Sequence, residues 1–374
     1  MKAGVSVSLE KNSELAGRNA AASAVKASGD PRLLIVFTTD EYKPEEVLRG
    51  IRSVTEGVKI VGFCCAGIIT KTGLEKQGVG VCAMSGDFSV ATAMQKDLSS
   101  NPYSTGAKAA DDLLSSGIKR GTVIVLPDGF QANLSEMLRG LYSRLGAGFS
   151  YIGGGAGDNL HFLKTWQFTE SEIASDALAV ALIEGVDFGV GVGHGWRPVG
   201  DPVVITRAKG KIVYEIDGMP AYQAYSRLLH CGSKDEFRTL SMQHPLGFPD
   251  ISGNYLIRDP FKVNDDDSIT FVTEIPSQSV GSIMDCRIEE IIATAVQAAQ
   301  TAAENIARPE VFLVFDCISR VLLLGERFDE EIKAIKEVIT SDIPFLGALS
   351  FGEIGNSGSV PLLYNKTTVV TIGR

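Results

Sequence analysis

Apolar and polar positions follow one plan three times along the chain. The last copy reads VFLVFDCISR, then DEEIKAIKEVIT, IPFLGALSFGEIG and NKTTVVTIG. The first copy reads PRLLIVFTTDEY, PEEVLRGIRSVTEG, VKIVGFCCAGIIT and QGVGVCAMSG in the same order. The middle copy runs TVIVLPDGF, NLSEMLRGLYSRLG, FSYIGGGAGDN and ALAVALIEG. Each predicts a strand, an amphipathic helix, a second strand running into glycines, and a third strand ending at Gly86, Gly185 or Gly373. In the helices, Leu48, Ile51 and Val54, then Leu134, Met137, Leu138, Leu141 and Leu145, then Ile332, Ile335, Val338 and Ile339 fall at helical spacing. Asn133 with Glu136 predicts a capping box. A further helix precedes each copy, over Ser13–Lys26, Ser104–Ser115 and Arg287–Ala307.

The rhythm breaks between Phe188 and Asp285, where VVITRA, the turn Lys209-Gly210 and KIVYEIDG predict a β-hairpin. Pro220 opens a short helix through Leu229; polar loops and the strands NYLIRD and SITFVTEI follow. The expected fold class is α/β, with three related α-β-α-β-β units forming mixed, largely parallel sheets and an inserted β-rich module before the last unit. The expected division is 1–187, holding two units, and 188–374, holding the module (188–285) and the third unit (286–374). In such units the loops leaving the strand C-termini share one edge, where ligands bind. That edge collects Thr38 to Glu41, Pro127 to Gly129 and Asp316 to Arg320.

With 374 residues, 44% of them hydrophobic and 21% charged, the chain can bury a sizeable core. The net charge of −10 and the lack of a Lys/Arg cluster argue against nucleic acid as a partner. Neither a membrane-length apolar run nor a signal-peptide core is present, so a cytoplasmic protein without membrane insertion is expected. The six cysteines are expected to be reduced thiols.

EIDG followed by PAYQAY, then FDCISR, SFGEIG and YNKTT, with VGFCCAGII and IGGGAGDN upstream, give the chain a resemblance to the FIST sensory domains, N-terminal and C-terminal parts both. The resemblance implies a ligand-binding input domain for amino acids or similar small polar metabolites, some members being haem-binding gas sensors. No output module is read here, so a signal would pass to a separate protein.

Arg320 can grip a carboxylate with paired hydrogen bonds and Glu353 can receive an amine, a combination suited to an amino acid; an ion pair between the two is the alternative. Cys317 and Gly352 would shape the wall of that pocket, Asn365 would add an amide contact, and His194, Trp196 and Arg197 would close the other side. Cys317 as a nucleophile is the enzymatic alternative, but no histidine lies in its unit to serve as base, so an enzyme is not the expected reading. His194 is the candidate axial ligand if haem binds, with a hydrogen-bonded loop histidine as the plainer reading; no cofactor and no metal site are otherwise expected. The IGGGAGDN glycines follow a strand but do not open a helix, which excludes a dinucleotide loop.

Overall fold

The computed structural model describes residues 1–131, 133–250, 253–339 and 342–374. Three sheets share one strand order. The first runs Lys2–Ser8, Val79–Ser85, Pro31–Thr38, Lys59–Cys64; the second Ser89–Lys96, Ala177–Glu184, Gly121–Pro127, Phe149–Gly154; the third Phe188–Gly193, Thr368–Gly373, Val311–Cys317, Phe345–Ser350. In each, the last two strands named are parallel and the other neighbours antiparallel. The sheets are therefore mixed, as expected, but not largely parallel. The closing strand of each unit returns after a chain reversal and inserts between the edge and the central strand, so it runs against both. The sequence reading did not anticipate the edge strands Lys2–Ser8 and Ser89–Lys96 and placed Phe188–Gly193 in the inserted module, so each unit gains a strand at its start. Phe188–Gly193 thereby belongs to the third sheet, and the inserted module begins after it.

The three sheets are also stitched together. Between its second and closing strands each unit sends out a short pair of strands that extends a neighbour's sheet. Ile68–Thr70 pairs with Phe345–Ser350, Gln167–Thr169 with Lys59–Cys64, and Glu353–Ser357 with Phe149–Gly154. The exchange is cyclic.

Strand alternation explains how the sheets are covered on both faces. In the central strands Leu33, Ile35 and Phe37, then Ile124 and Leu126, then Val311, Leu313 and Phe315 point inward to one shared core. The intervening Leu34 and Val36, Val123 and Val125, and Phe312 and Val314 face outward onto separate helical layers. Phe37, Phe63 and Phe315 meet at the centre with ring separations of 5.2 to 6.4 Å. The outer layers are the helices Ser13–Ser28 and Pro44–Arg52, Pro102–Leu114 and Leu134–Leu145, and Ile288–Ala303 with Phe328–Glu337. The expected capping box is absent: Asn133 has left-handed backbone (φ 64°) and its side chain makes no capping hydrogen bond. Thr340, at the end of the third amphipathic stretch, lies outside the described residues.

The module is carried on two long antiparallel strands, Trp196–Lys209 and Ser279–Cys286, which leave the third unit between its edge strand and its first helix. It encloses its own core of residues such as Val203, Ile216, Tyr225, Phe237 and Phe271. Part of the stretch expected as polar loop is a helix, Lys234–Gln243, opened by Ser233, whose hydroxyl accepts from the Glu236 N–H. Its pattern hides it because only Phe237 and Ser241 are buried. Among the described residues no helix is long and apolar enough to cross a membrane.

Candidate functional site

The segment after Val311–Cys317 is a helix, Ile318–Leu324, and not the loop expected. That helix turns Arg320 into the protein, where it is fully buried. Nε and Nη2 donate to the two oxygens of Glu331 at 3.2 and 2.5 Å, and Nε lies 3.2 Å from Asp316. Nη1 donates to the main-chain oxygens of His194 and Lys366, and Nη2 also to that of Ile291. The guanidinium is thus fully engaged by the protein and has no pair of hydrogen bonds left for a ligand. Burial pushes Asp316 well above the ordinary carboxylate range, Glu331 adds to this, and Arg320 opposes it. Glu331 carried a legible signal: it lies on the apolar stripe of its helix with Phe328, Ile332 and Ile335.

Glu353 is buried nearby but makes no ion pair with Arg320 among the described residues. Its Oε1 accepts from Ser350 Oγ at 2.9 Å and Oε2 from the Thr367 N–H at 3.4 Å. Burial lifts its carboxyl to about 8 against the lowering effect of these donors, of Cys317 and of Arg320. Cys317 is 5% exposed, and burial pushes its thiol up to about 12. A thiol so placed is not a nucleophile near neutral pH. Asn365 is committed as well: its Oδ1 accepts from Thr273 Oγ1 at 2.6 Å and its Nδ2 donates to the Tyr364 carbonyl. Gly352, with φ +91°, is likewise buried.

The chain therefore does bring Cys317, Arg320, Gly352, Glu353, His194, Trp196 and Asn365 to one region, but as a sealed polar centre. Arg197 is outside it, exposed and paired with Glu290 at 3.1 Å. Sequence reasoning missed the cation at this seam, Lys366. Fully buried and with left-handed backbone (φ 55°), it places Nζ 3.0 Å from Asp259 of the module and 5.5 Å from the centre of the Trp196 ring. The Lys366 to Asp259 and Asn365 to Thr273 contacts latch the module to the body.

His194 does not fit an axial role toward haem. Its Nδ1 accepts from the Trp196 N–H at 2.9 Å, and its ring is also hydrogen-bonded to the main chain of Tyr255. Burial first, and the Arg320 charge second, push it down to about 4, so it stands neutral. Among the described residues, no three His, Cys, Asp or Glu side chains converge as a metal would require.

An open cavity of about 350 Å³ lies elsewhere on the same seam. Its walls are Phe130 and Phe162 from the second unit, Phe351 from the third, and Phe261, Phe271 and Lys211 from the module. Phe162 is the hub, its ring 5.5 Å from Phe130, 5.6 Å from Phe261 and 5.7 Å from Phe351. The loop that carries it holds two non-glycine residues in left-handed backbone, Leu160 (φ 62°) and Phe162 (φ 54°). The buried Asp158 carboxylate fixes this strained turn by accepting from the Phe162 and Leu163 N–H groups at 2.9 and 2.8 Å. Such strain persists only where surroundings enforce it, and it clusters at ligand sites. Burial pushes the Lys211 ammonium down, against the pull of Glu274.

Gly157 of the IGGGAGDN run, and Gly129 outside it, shape this cavity. A Cβ on Gly157 would fall 1.9 Å from the Phe351 ring, and one on Gly129 would fall 2.8 Å from Phe351 Cβ. Both glycines make room for that phenylalanine. The cavity was not legible because its walls come from six separate segments, none with a pattern of its own. Phe351 inside SFGEIG and Phe130 after Asp128-Gly129 were the nearest signals.

A family model described as the FIST N domain matches residues 32–219, and one described as the FIST C domain matches 221–356. An uncharacterized protein of Methanocaldococcus jannaschii is 30% identical over 230 residues, which span 54% of this chain and 44% of that protein. An uncharacterized protein of Mycobacterium tuberculosis is 24% identical over 379 residues, 95% of each chain. Among solved structures, a cyanuric acid hydrolase from A. caulinodans aligns with 100% of this chain and 98% of its own (TM-score 0.41, 8% identity). A chorismatase aligns with 99% and 98% (TM-score 0.39, 8% identity). At those scores neither likeness bears on function.

Proposed function

Since the chain belongs to the FIST family, we propose that it is a sensory component of a signal-transduction system that binds a small metabolite, amino acids among the candidates, and passes the event to a separate output protein. The binding site in this reading is the aromatic cavity on the seam, and the sealed centre around Arg320 is the scaffold that holds the seam together. One observation carries the reading: the cavity takes walls from both the three-sheet body and the module. Its size falls within the roughly 300 to 1,000 Å³ of small-molecule sites. A ligand touching both parts favours the arrangement that closes them together, and its differential affinity is what shifts the exposed surface.

The test is a thermal-denaturation screen with amino acids, short carboxylates and aromatic carboxylates, run on the wild-type chain and on Phe261→Ala. A compound that binds only the folded state raises its stability by mass action. The reading expects at least one compound to raise Tm in the wild type and to lose that effect in Phe261→Ala, whose side chain is 54% exposed at the cavity rim. A panel without any stabilising compound, or one whose effects ignore Phe261, would contradict it.

A further inference from the structure

Five phenylalanines and one lysine make up most of the cavity wall, which includes no carboxylate side chain among the described residues. Two acids, Glu274 and Asp128, lie nearby but outside the wall, and Glu274 Oε1 has no hydrogen-bond partner among the described residues. Glu274 Oε2 accepts from Ser135 Oγ at 3.1 Å, and Asp128 accepts from the N–H groups of Phe130 and Asp176 at 3.1 and 3.0 Å. The Thr270 hydroxyl is bound up with the Asn264 side chain. Lys211 stands in a different position. Its Nζ donates to the main-chain oxygen of Gln131 at 3.2 Å, a neutral acceptor, and it has no ion-pair partner among the described residues. Glu274 attracts this ammonium without forming an ion pair, and the attraction does not offset its desolvation.

We propose that the cavity takes a small carboxylate with a single aromatic ring and no α-ammonium group, its carboxylate anchored by Lys211 Nζ. This rests on the sensory reading above and narrows its ligand class. The ring is received by Phe130, Phe162 and Phe351, where the edge-to-face contacts of Phe351 with the other two (interplanar angles of 86° and 88°) present the ring arrangement a further ring extends. The carboxylate reaches Lys211 at the module side. An amino acid of the same shape would bring an ammonium against a wall that already holds one cation and has no carboxylate of its own, so the amine acts against binding.

The experiment is titration calorimetry of the full chain with phenylacetate, L-phenylalanine and phenethylamine, repeated on Lys211→Met and Lys211→Arg after their melting curves establish that both fold. Phenylacetate is expected to bind, L-phenylalanine at least tenfold more weakly, and phenethylamine not measurably. Lys211→Met is expected to lose at least tenfold in phenylacetate affinity, and Lys211→Arg to keep most of it. Equal or tighter binding of L-phenylalanine, or undiminished binding in Lys211→Met, overturns the proposal. If another compound stabilises the protein in a Phe261-dependent way and phenylacetate does not, the ligand class is overturned and the sensory reading stands. Silence across the whole panel overturns both.

Discussion

Arg320 closes on Glu331 and not on Glu353: two of its nitrogens reach the two Glu331 oxygens, and both side chains are fully buried. The pair is a bidentate one with further carbonyl acceptors around it, the arrangement that lets a buried charge survive.

Removing the cation should therefore unfold more than it unbinds. Arg320→Ala leaves the Asp316 and Glu331 carboxyl groups in the interior without their partner, a loss expected to cost about 3 to 5 kcal/mol. Arg320→Lys keeps the charge but not the fork, and should still be clearly destabilised. Urea denaturation checks both; a loss below about 1 kcal/mol in Arg320→Ala would contradict the assignment.

Glu353 gives stability a pH signature. Its carboxyl titrates at about 8 when folded, against an ordinary value of 4.5. Between those values the unfolded chain releases a proton that the folded chain retains, so this residue's effect is destabilising and grows as pH rises, levelling off above about 8. At most it changes stability by about 1.4 kcal/mol per pH unit. Glu353→Gln should gain on the wild type steadily from pH 5 to 8 in urea titrations, whatever constant offset the amide introduces. Parallel curves would show that the carboxyl is not raised.

Thiol labelling separates the enzymatic alternative. Cys64, Cys65, Cys82 and Cys317 are buried, while Cys231 and Cys286 are partly exposed. Burial pushes Cys286 up to about 11. Iodoacetamide near neutral pH should reach Cys231 first and Cys286 more slowly, with the other four reacting only on unfolding. Fast, selective modification of Cys317, read by peptide mass spectrometry, would revive a thiol nucleophile.

Gly157→Ala tests the seating of Phe351. The new methyl group collides with the ring and forces it to move, at a cost of about 1 to 3 kcal/mol. Phe351→Leu in the same chain should recover part of that loss in a double-mutant cycle. Strict additivity of the two substitutions would show that they do not meet.

The parts of the fold that were legible are those whose residues face apolar surroundings on both sides. LLIVF, VIVL and VFLVF are buried inward and outward, so their runs announce central strands. Edge strands such as Ser89–Lys96 are only half covered and carry polar residues, so no apolar run announces them. Cross-unit pairing, as between Ile68 and Ala348, leaves no local trace because each short strand is completed by a distant one. Arg320 and Glu353 stood out as chemistry-bearing residues, but residue type alone does not tell a ligand's partner from a buried charge that Glu331 has already satisfied. The aromatic wall stayed hidden for the complementary reason: phenylalanines read as core until the fold shows Phe162 and Phe261 about half exposed around a cavity.

Amide hydrogen exchange with and without phenylacetate tests the central claim, that the seam cavity and not the sealed centre is where this protein meets its ligand. Protection is predicted to rise together in the Asp158–Trp166 loop and in the module segment Pro260–Phe271, with the peptides covering Cys317–Leu324 unchanged. Protection confined to the Cys317–Leu324 and Glu353 peptides, or a rise on one side of the seam alone, would contradict it.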